Sequence, residues 1–209
     1  MHKLQLSYFD VHGGRGEPIR LALSIGGIPF EDNRVRPQDW PALKPSTPFG
    51  GMPVLEVDGR SISQSNSILR FVGKLADLYP SNPLQALLCD EIMAAAEDIS
   101  HKLAPSYGIK DPDALEAART ALVEGPMTAY LTEFQTRLEE AGGEWFAGGR
   151  LSVADLKVFV TVRYLRSGRL DHVPTDLVDR VAPQLIAHHD RVRQHPGVAK
   201  YYADHGVTV

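Results

Sequence analysis

Residues 3–35, KLQLSYFDVHGGRGEPIRLALSIGGIPFEDNRV, decide the architecture of this 209-residue chain. Lys3 to Phe9 alternate apolar and polar side chains, as a half-buried strand does. The loop DVHGGRG follows, and Glu17-Pro18 opens a helix carrying Ile19, Leu21, Leu23 and Ile25. Proline is well placed in a first helical turn. Gly26-Gly27 stops that helix, and residues 30–35, FEDNRV, read as the next strand. The unit is β-α-β, whose crossover requires parallel strands.

Outward from this unit, MPVLEV (52–57), Asp58-Gly59 and RSIS (60–63) form a hairpin around a two-residue turn. A helix from about Ser65 places Ile68, Leu69, Val72, Leu75 and Ala76 on one face. Beyond Tyr79-Pro80 strand signals nearly vanish. Segments 83–104, 112–141, 152–167 and 183–195 are apolar at helical spacing, and Gly125-Pro126 should kink or break the second. The expected fold is an α/β N-terminal domain, residues 1–80, and an all-α C-terminal domain, residues 83–209. A short linker around 79–83 joins them.

Composition narrows the function classes. Hydrophobic residues at 43% and charged residues at 23% exclude disordered, collagen-like and coiled-coil chains. A net charge of −4 with scattered arginines argues against a nucleic-acid partner. No apolar stretch approaches the ~18 residues of a membrane span. MHKLQLSYF starts on a strand pattern without the apolar region of a signal peptide, so the expectation is a cytoplasmic protein with no membrane partner. Cys89 is the single cysteine. Disulfide frameworks, Cys-x-x-Cys pairs and Cys-rich zinc sites are thereby excluded.

Several residues stand where chemistry is possible. Tyr8 lies at the end of the first strand, before a glycine-containing loop, where side chains often face a ligand. Strand position alone favours a half-buried strand tyrosine, and nothing local shows that its phenol donates to a ligand. In Gly50-Gly51-Met52-Pro53 a proline directly precedes a strand, although it cannot donate to the ladder. A cis bond there would turn the chain and leave the Met52 backbone polar groups to a ligand. Ser65 begins a helix, where exposed N–H groups and the dipole favour an anion; equally, it caps the helix. Ser152 and Asp155 form a capping box with a folding role. Glu97 and Asp98 read as a solvated helix face. His188, His189 and Asp190 are consecutive, so they cannot share a face as zinc ligands do, and no metal is expected. Cys89, beside Leu87 and Leu88, reads as packing. Gly-x-Ser-x-Gly, Walker and Gly-x-Gly-x-x-Gly motifs are absent, which sets aside serine hydrolases, NTPases and dehydrogenases.

Taken together, these pieces resemble a cytosolic glutathione S-transferase over essentially the whole chain. The segments that carry the likeness are Leu6-Ser7-Tyr8-Phe9 with Arg15 and Arg20, Asp39-Trp40 with Lys44, and Pro48-Phe49-Gly50-Gly51-Met52-Pro53. Gln64-Ser65-Asn66-Ser67-Ile68-Leu69-Arg70-Phe71 and Ser152-x-x-Asp155 complete the set. Tyr8 with Trp40 and Lys44 is most similar to the sigma class, near alpha, mu and pi. Three departures are visible: the loop His12-Gly13-Gly14-Arg15 is one residue longer than the sigma pattern, Gly51 replaces a Gln or Lys, and Glu97 replaces an Asp while Ala94 interrupts the acidic cluster of the prostaglandin synthases.

The resemblance implies a thioredoxin-like glutathione-binding domain and a helical domain shaping an electrophile pocket. It implies that Tyr8, with Arg15, activates the glutathione sulfur. Trp40 and Lys44 would hold the glycyl carboxylate, and Gly51, Met52 and Pro53 would line the cysteinyl unit. Gln64 and Ser65 would bind the γ-glutamyl end, and Asp98 would reach its amino group across a homodimer interface. Phe9, Arg15 and Tyr107 would line the second-substrate pocket. Glutathione would be a co-substrate, with no tightly bound cofactor. The alternatives are a glutathione-dependent isomerase of the prostaglandin D synthase kind and a non-enzymatic ligand-binding or structural member.

Overall fold

The computed structural model describes residues 2–208. Four strands form one sheet in the order β2-β1-β3-β4. They are β1 (Leu4–Phe9), β2 (Glu31–Val35), β3 (Val54–Val57) and β4 (Arg60–Ser63). β1 pairs parallel with β2, from Gln5 opposite Glu31 to Phe9 opposite Val35. It pairs antiparallel with β3, placing Ser7 opposite Val54. The hairpin of β3 and β4 turns at Asp58 and Gly59, both at positive φ, as its tight turn requires.

Helix α1 (Glu17–Ile25) is the crossover between the two parallel strands, and α3 (Ser65–Leu75) follows the hairpin. Between β2 and β3 runs a short α2 (Trp40–Leu43). Leu4 and Leu6 of β1 form a core with Ile19 and Leu23 of α1 and Ile68, Leu69 and Val72 of α3, all buried. Leu75, expected on that apolar face, is exposed instead. Helix α3 ends there, and Leu78, one turn beyond, is the buried residue.

The helical part comprises α4 (Pro83–Leu103), α5 (Pro112–Leu122), α6 (Thr128–Glu140), α7 (Val153–Leu165), α8 (Leu177–Val181), α9 (Gln184–Gln194) and α10 (Pro196–Asp204). Gly125-Pro126 does not break the α5–α6 rod; a π-helical turn over Val123–Met127 absorbs the proline and carries the chain through. Every residue of α7 from Val153 to Val160 is buried, so this helix is the centre of its unit.

The chain divides into two compact units. One holds the residues up to Pro80 together with those from His195 onward; the other is Ser81–Gln194. The all-helical region expected over 83–209 thus gives up its last helix to the first unit. A Cβ on Gly197 would lie 2.8 Å from Ile25 Cγ1, so α10 reaches close contact with α1 through a residue without a side chain. Tyr201 of α10 is buried there, with its hydroxyl 3.5 Å from Glu17 Oε2.

Candidate active site

Register alone gathers the sequence motifs of the first unit at one end of the sheet. Val54 at the start of β3 lies opposite both Ser7 of β1 and Ser63 of β4. Tyr8, one residue past Ser7, therefore neighbours the Met52-Pro53 corner, and Gln64-Ser65, just past Ser63, joins them. The Met52-Pro53 bond is cis. A small cavity of about 160 Å³ opens beside Met52, with Ser7, Asn33, Thr47 and Glu56 in its lining.

Tyr8 is buried, and its Oη accepts the backbone N–H of Arg15 at 3.0 Å. The Phe9 ring meets Trp40 edge-on at 5.8 Å, fixing α2 against the sheet. Lys44, one residue past α2, is exposed and runs beside Gly50. Gly51 is extended, without a side chain on this approach.

Ser65 is not the helix cap. It is the first helical residue of α3, and the cap position belongs to Gln64, at φ 80° and ψ 102°. That conformation is uncommon for a residue with a side chain, and such strain concentrates at ligand sites. Ser65 is buried at the positive end of an 11-residue helix with no acidic residue in its first turn.

Behind Tyr8 lies a buried charge network. Arg20 is fully buried and lies 5.8 Å from the Tyr8 ring centroid. It donates from Nε to Asp32 at 3.0 Å, and from its terminal nitrogens to the carbonyls of Val11 at 2.9 Å and Phe9 at 3.3 Å. Glu17 is also fully buried, 3.6 Å from Arg20 and 3.4 Å from His12. Sequence reading placed Arg20 only within a motif. Its alternation within an apolar helix, one turn after Glu17, was the signal for a buried pair. The closeness of Gly14 and Gly16 to Tyr8 had only a glycine-rich loop as its signal.

Two candidate residues belong to the helical unit. Asp98 is exposed, and its Oδ2 accepts from the Tyr130 hydroxyl at 3.1 Å. Tyr107 is half-exposed, with its hydroxyl 3.1 Å from that of Tyr164. Glu97 departs from the solvated face expected of it: Lys157, buried in α7, reaches it at 2.7 Å. A chain separation of sixty residues hides such a pair from any local pattern. Cys89 is fully buried, and burial pushes its thiol up to about 12, so the thiolate a nucleophile needs is suppressed.

The Ser152–Asp155 capping box is present. Asp155 Oδ2 accepts from the Ser152 N–H at 2.8 Å and its hydroxyl at 2.6 Å. Oδ1 accepts the Phe146 N–H at 3.0 Å and lies 2.9 Å from His188 Nε2. His188 is thus committed to Asp155, while His189 stacks on Phe159 at 4.7 Å.

Comparison with known proteins agrees with this architecture. Residues 4–74 match the glutathione S-transferase N-terminal domain and residues 97–205 the corresponding C-terminal domain. Glutathione S-transferase 1 of Ascaris suum is 32% identical over 100% of this chain and 99% of its own. The structure of prostaglandin synthase D of Nilaparvata lugens superposes with a TM-score of 0.86 at 29% identity, covering 99% of this chain and 100% of that one. A Fasciola hepatica sigma class GST gives 0.82 at 26% identity, covering 100% and 98%. The chain belongs to the glutathione S-transferase family. Among the described residues no helix is long and apolar enough to cross a membrane.

Proposed function

We propose that this chain is a glutathione S-transferase enzyme in which Tyr8 stabilises the thiolate of bound glutathione for attack on small hydrophobic electrophiles. The observation that carries the reading is the placement of Tyr8. Tyr8 follows Ser7, the strand partner of Val54, so its backbone neighbours the Met52-Pro53 corner, and its oxygen accepts the Arg15 N–H. A free thiol of pKa about 8.5 is mostly protonated at neutral pH. A phenol donating to sulfur favours the charged form. Lowering the thiol by two units takes about 2.7 kcal/mol, within reach of one charge-assisted bond aided by nearby Arg15. Holding the electrophile against that sulfur supplies the remainder.

In this reading Trp40 and Lys44 hold the glycyl carboxylate, and the backbone of Met52, with Gly51 and Pro53, lines the cysteinyl unit. Gln64 and Ser65 take the γ-glutamyl carboxylate, aided by the α3 dipole. Phe9, Arg15 and Tyr107 border the electrophile. Asp98 serves the γ-glutamyl amino group of a second protomer, which makes the protein a homodimer. Glutathione is consumed as a co-substrate, no cofactor is held tightly, and the setting is cytoplasmic detoxification. Conjugation of 1-chloro-2,4-dinitrobenzene tests the core of this. Tyr8→Phe should lower kcat/KM by about 10- to 100-fold with the fold intact. No turnover by the wild type, or an unchanged rate in the variant, rejects it. Light scattering tests the dimer: a mass near the 23.0 kDa of one chain rejects it.

A second reading, glutathione-dependent isomerisation, is favoured by the likeness to the Nilaparvata lugens protein named prostaglandin synthase D. It uses the same thiolate and returns glutathione unchanged. The glutathione balance over many turnovers separates the two.

A further inference from the structure

The loop between β1 and α1 is moulded around one side chain. A Cβ placed on Gly14 would lie 2.5 Å from Tyr8 Oη and 3.3 Å from Cζ. A Cβ on Gly16 would lie 2.5 Å from Tyr8 Cγ and 2.8 Å from its Cβ. Non-bonded carbon atoms prefer about 3.5–4.0 Å, so neither position admits even alanine without moving the ring. One glycine thus meets the ring at its hydroxyl and the other at its root. Between them Arg15 gives its backbone N–H to Oη at 3.0 Å. Gly13 is different: nothing lies within 4 Å of a Cβ built there.

The loop is anchored away from the ring as well. Arg20 holds the carbonyls of Val11 and Phe9. His12 packs edge-on against Tyr201 at 6.2 Å and His205 at 5.4 Å. The backbone at residues 14–16 is therefore held against the phenol from outside.

We propose that Gly14 and Gly16 are positioning residues for Tyr8, letting backbone close on the ring so that the Arg15 N–H reaches its oxygen. This deepens the role of Tyr8 proposed above and rests on it. A donor on the phenol oxygen favours the charged form and turns the phenolic proton away from the loop. Without the two glycines the ring shifts and this donor is lost.

Gly16 has φ −80°, a conformation alanine adopts freely, so Gly16→Ala tests the contact without backbone strain. The measurement is an ultraviolet titration of the Tyr8 phenol without glutathione, isolated by subtracting the same protein carrying Tyr8→Phe. Gly16→Ala should raise the Tyr8 titration by about half a pH unit or more. Gly13→Ala should superimpose on wild type. Equal curves for Gly16→Ala and wild type overturn the proposal. Should Gly16→Ala fail to fold, the Tyr8→Ala, Gly16→Ala double variant decides. Removing the ring should restore folding, and a double variant that stays unfolded overturns the proposal. None of these readings requires turnover, so they stand apart from the transferase assay.

Discussion

Glu17 in α1 and Asp155 in α7 are both fully buried carboxylates in the first turn of a helix, one in each unit. Their surroundings differ. Asp155 is saturated by short bonds from a backbone N–H and a hydroxyl of Ser152, the Phe146 N–H and His188. Glu17 meets charged and polar partners at 3.4 to 3.6 Å: His12, Arg20 and Tyr201. Hydrogen bonds that good fix geometry, and breaking them leaves donors stranded. The contact of Glu17 with Arg20 instead sets a negative charge beside the guanidinium that lies near the Tyr8 ring. Burial of a carboxylate therefore says little about its purpose until its partners are known.

Substitutions should separate the two. Asp155→Ala strands the Phe146 N–H and His188 in the core, and should cost about 3–5 kcal/mol in urea unfolding. A loss under 1 kcal/mol would make the capping box ornamental. Next in size is His189. Burial, joined by the nearby arginines Arg166 and Arg193, lowers this imidazole to about 4 against the opposing pull of Asp190. Unfolded, the ring titrates near its ordinary 6.5, so the unfolded chain binds more protons between these values. Stability held above pH 6.5 should thus fall by about 1 kcal/mol per unit down to pH 4. His189→Phe should flatten this acid limb, and an unaltered limb would absolve His189.

Glu17→Gln should be milder, about 1–2 kcal/mol, since the amide keeps the shape of the carboxylate and gives up only its charge. It should, however, displace the pH profile of conjugation where Asp155→Asn does not. Equal profiles would erase the distinction between the two carboxylates. The smallest effect belongs to Cys89: with its thiol pushed up to about 12, a thiol reagent should label it only at the rate of unfolding. Rapid labelling of the folded protein would contradict that burial.

What could be read in the sequence tracks the range of the cause. The β1–loop–α1 unit, the Asp58-Gly59 turn and the α3 start rest on periodicity and turn chemistry within a few residues, and all three are present. The capping box is equally local, but its fourth partner, His188, lies 33 positions along the chain and no pattern announces it. Glu97 read as solvated because Lys157 arrives from another helix. The five residues of α8 are too short to show a helical period. At the candidate site, Tyr8, Met52-Pro53 and Ser65 were each individually ambiguous. Strand register brings them together, and register depends on pairing between distant segments.

The return of α10 to the first unit bears on how the protein is made. The unit that carries Tyr8 is discontinuous, its first 80 residues waiting for a helix at Pro196–Asp204. A chain emerging from the ribosome can pack Ser81–Gln194 before that helix exists, whereas Glu17 keeps an open flank until Tyr201 arrives. The unit that carries Tyr8, though translated first, is completed last. A polypeptide cut short by a dozen or so residues would be held back at that step.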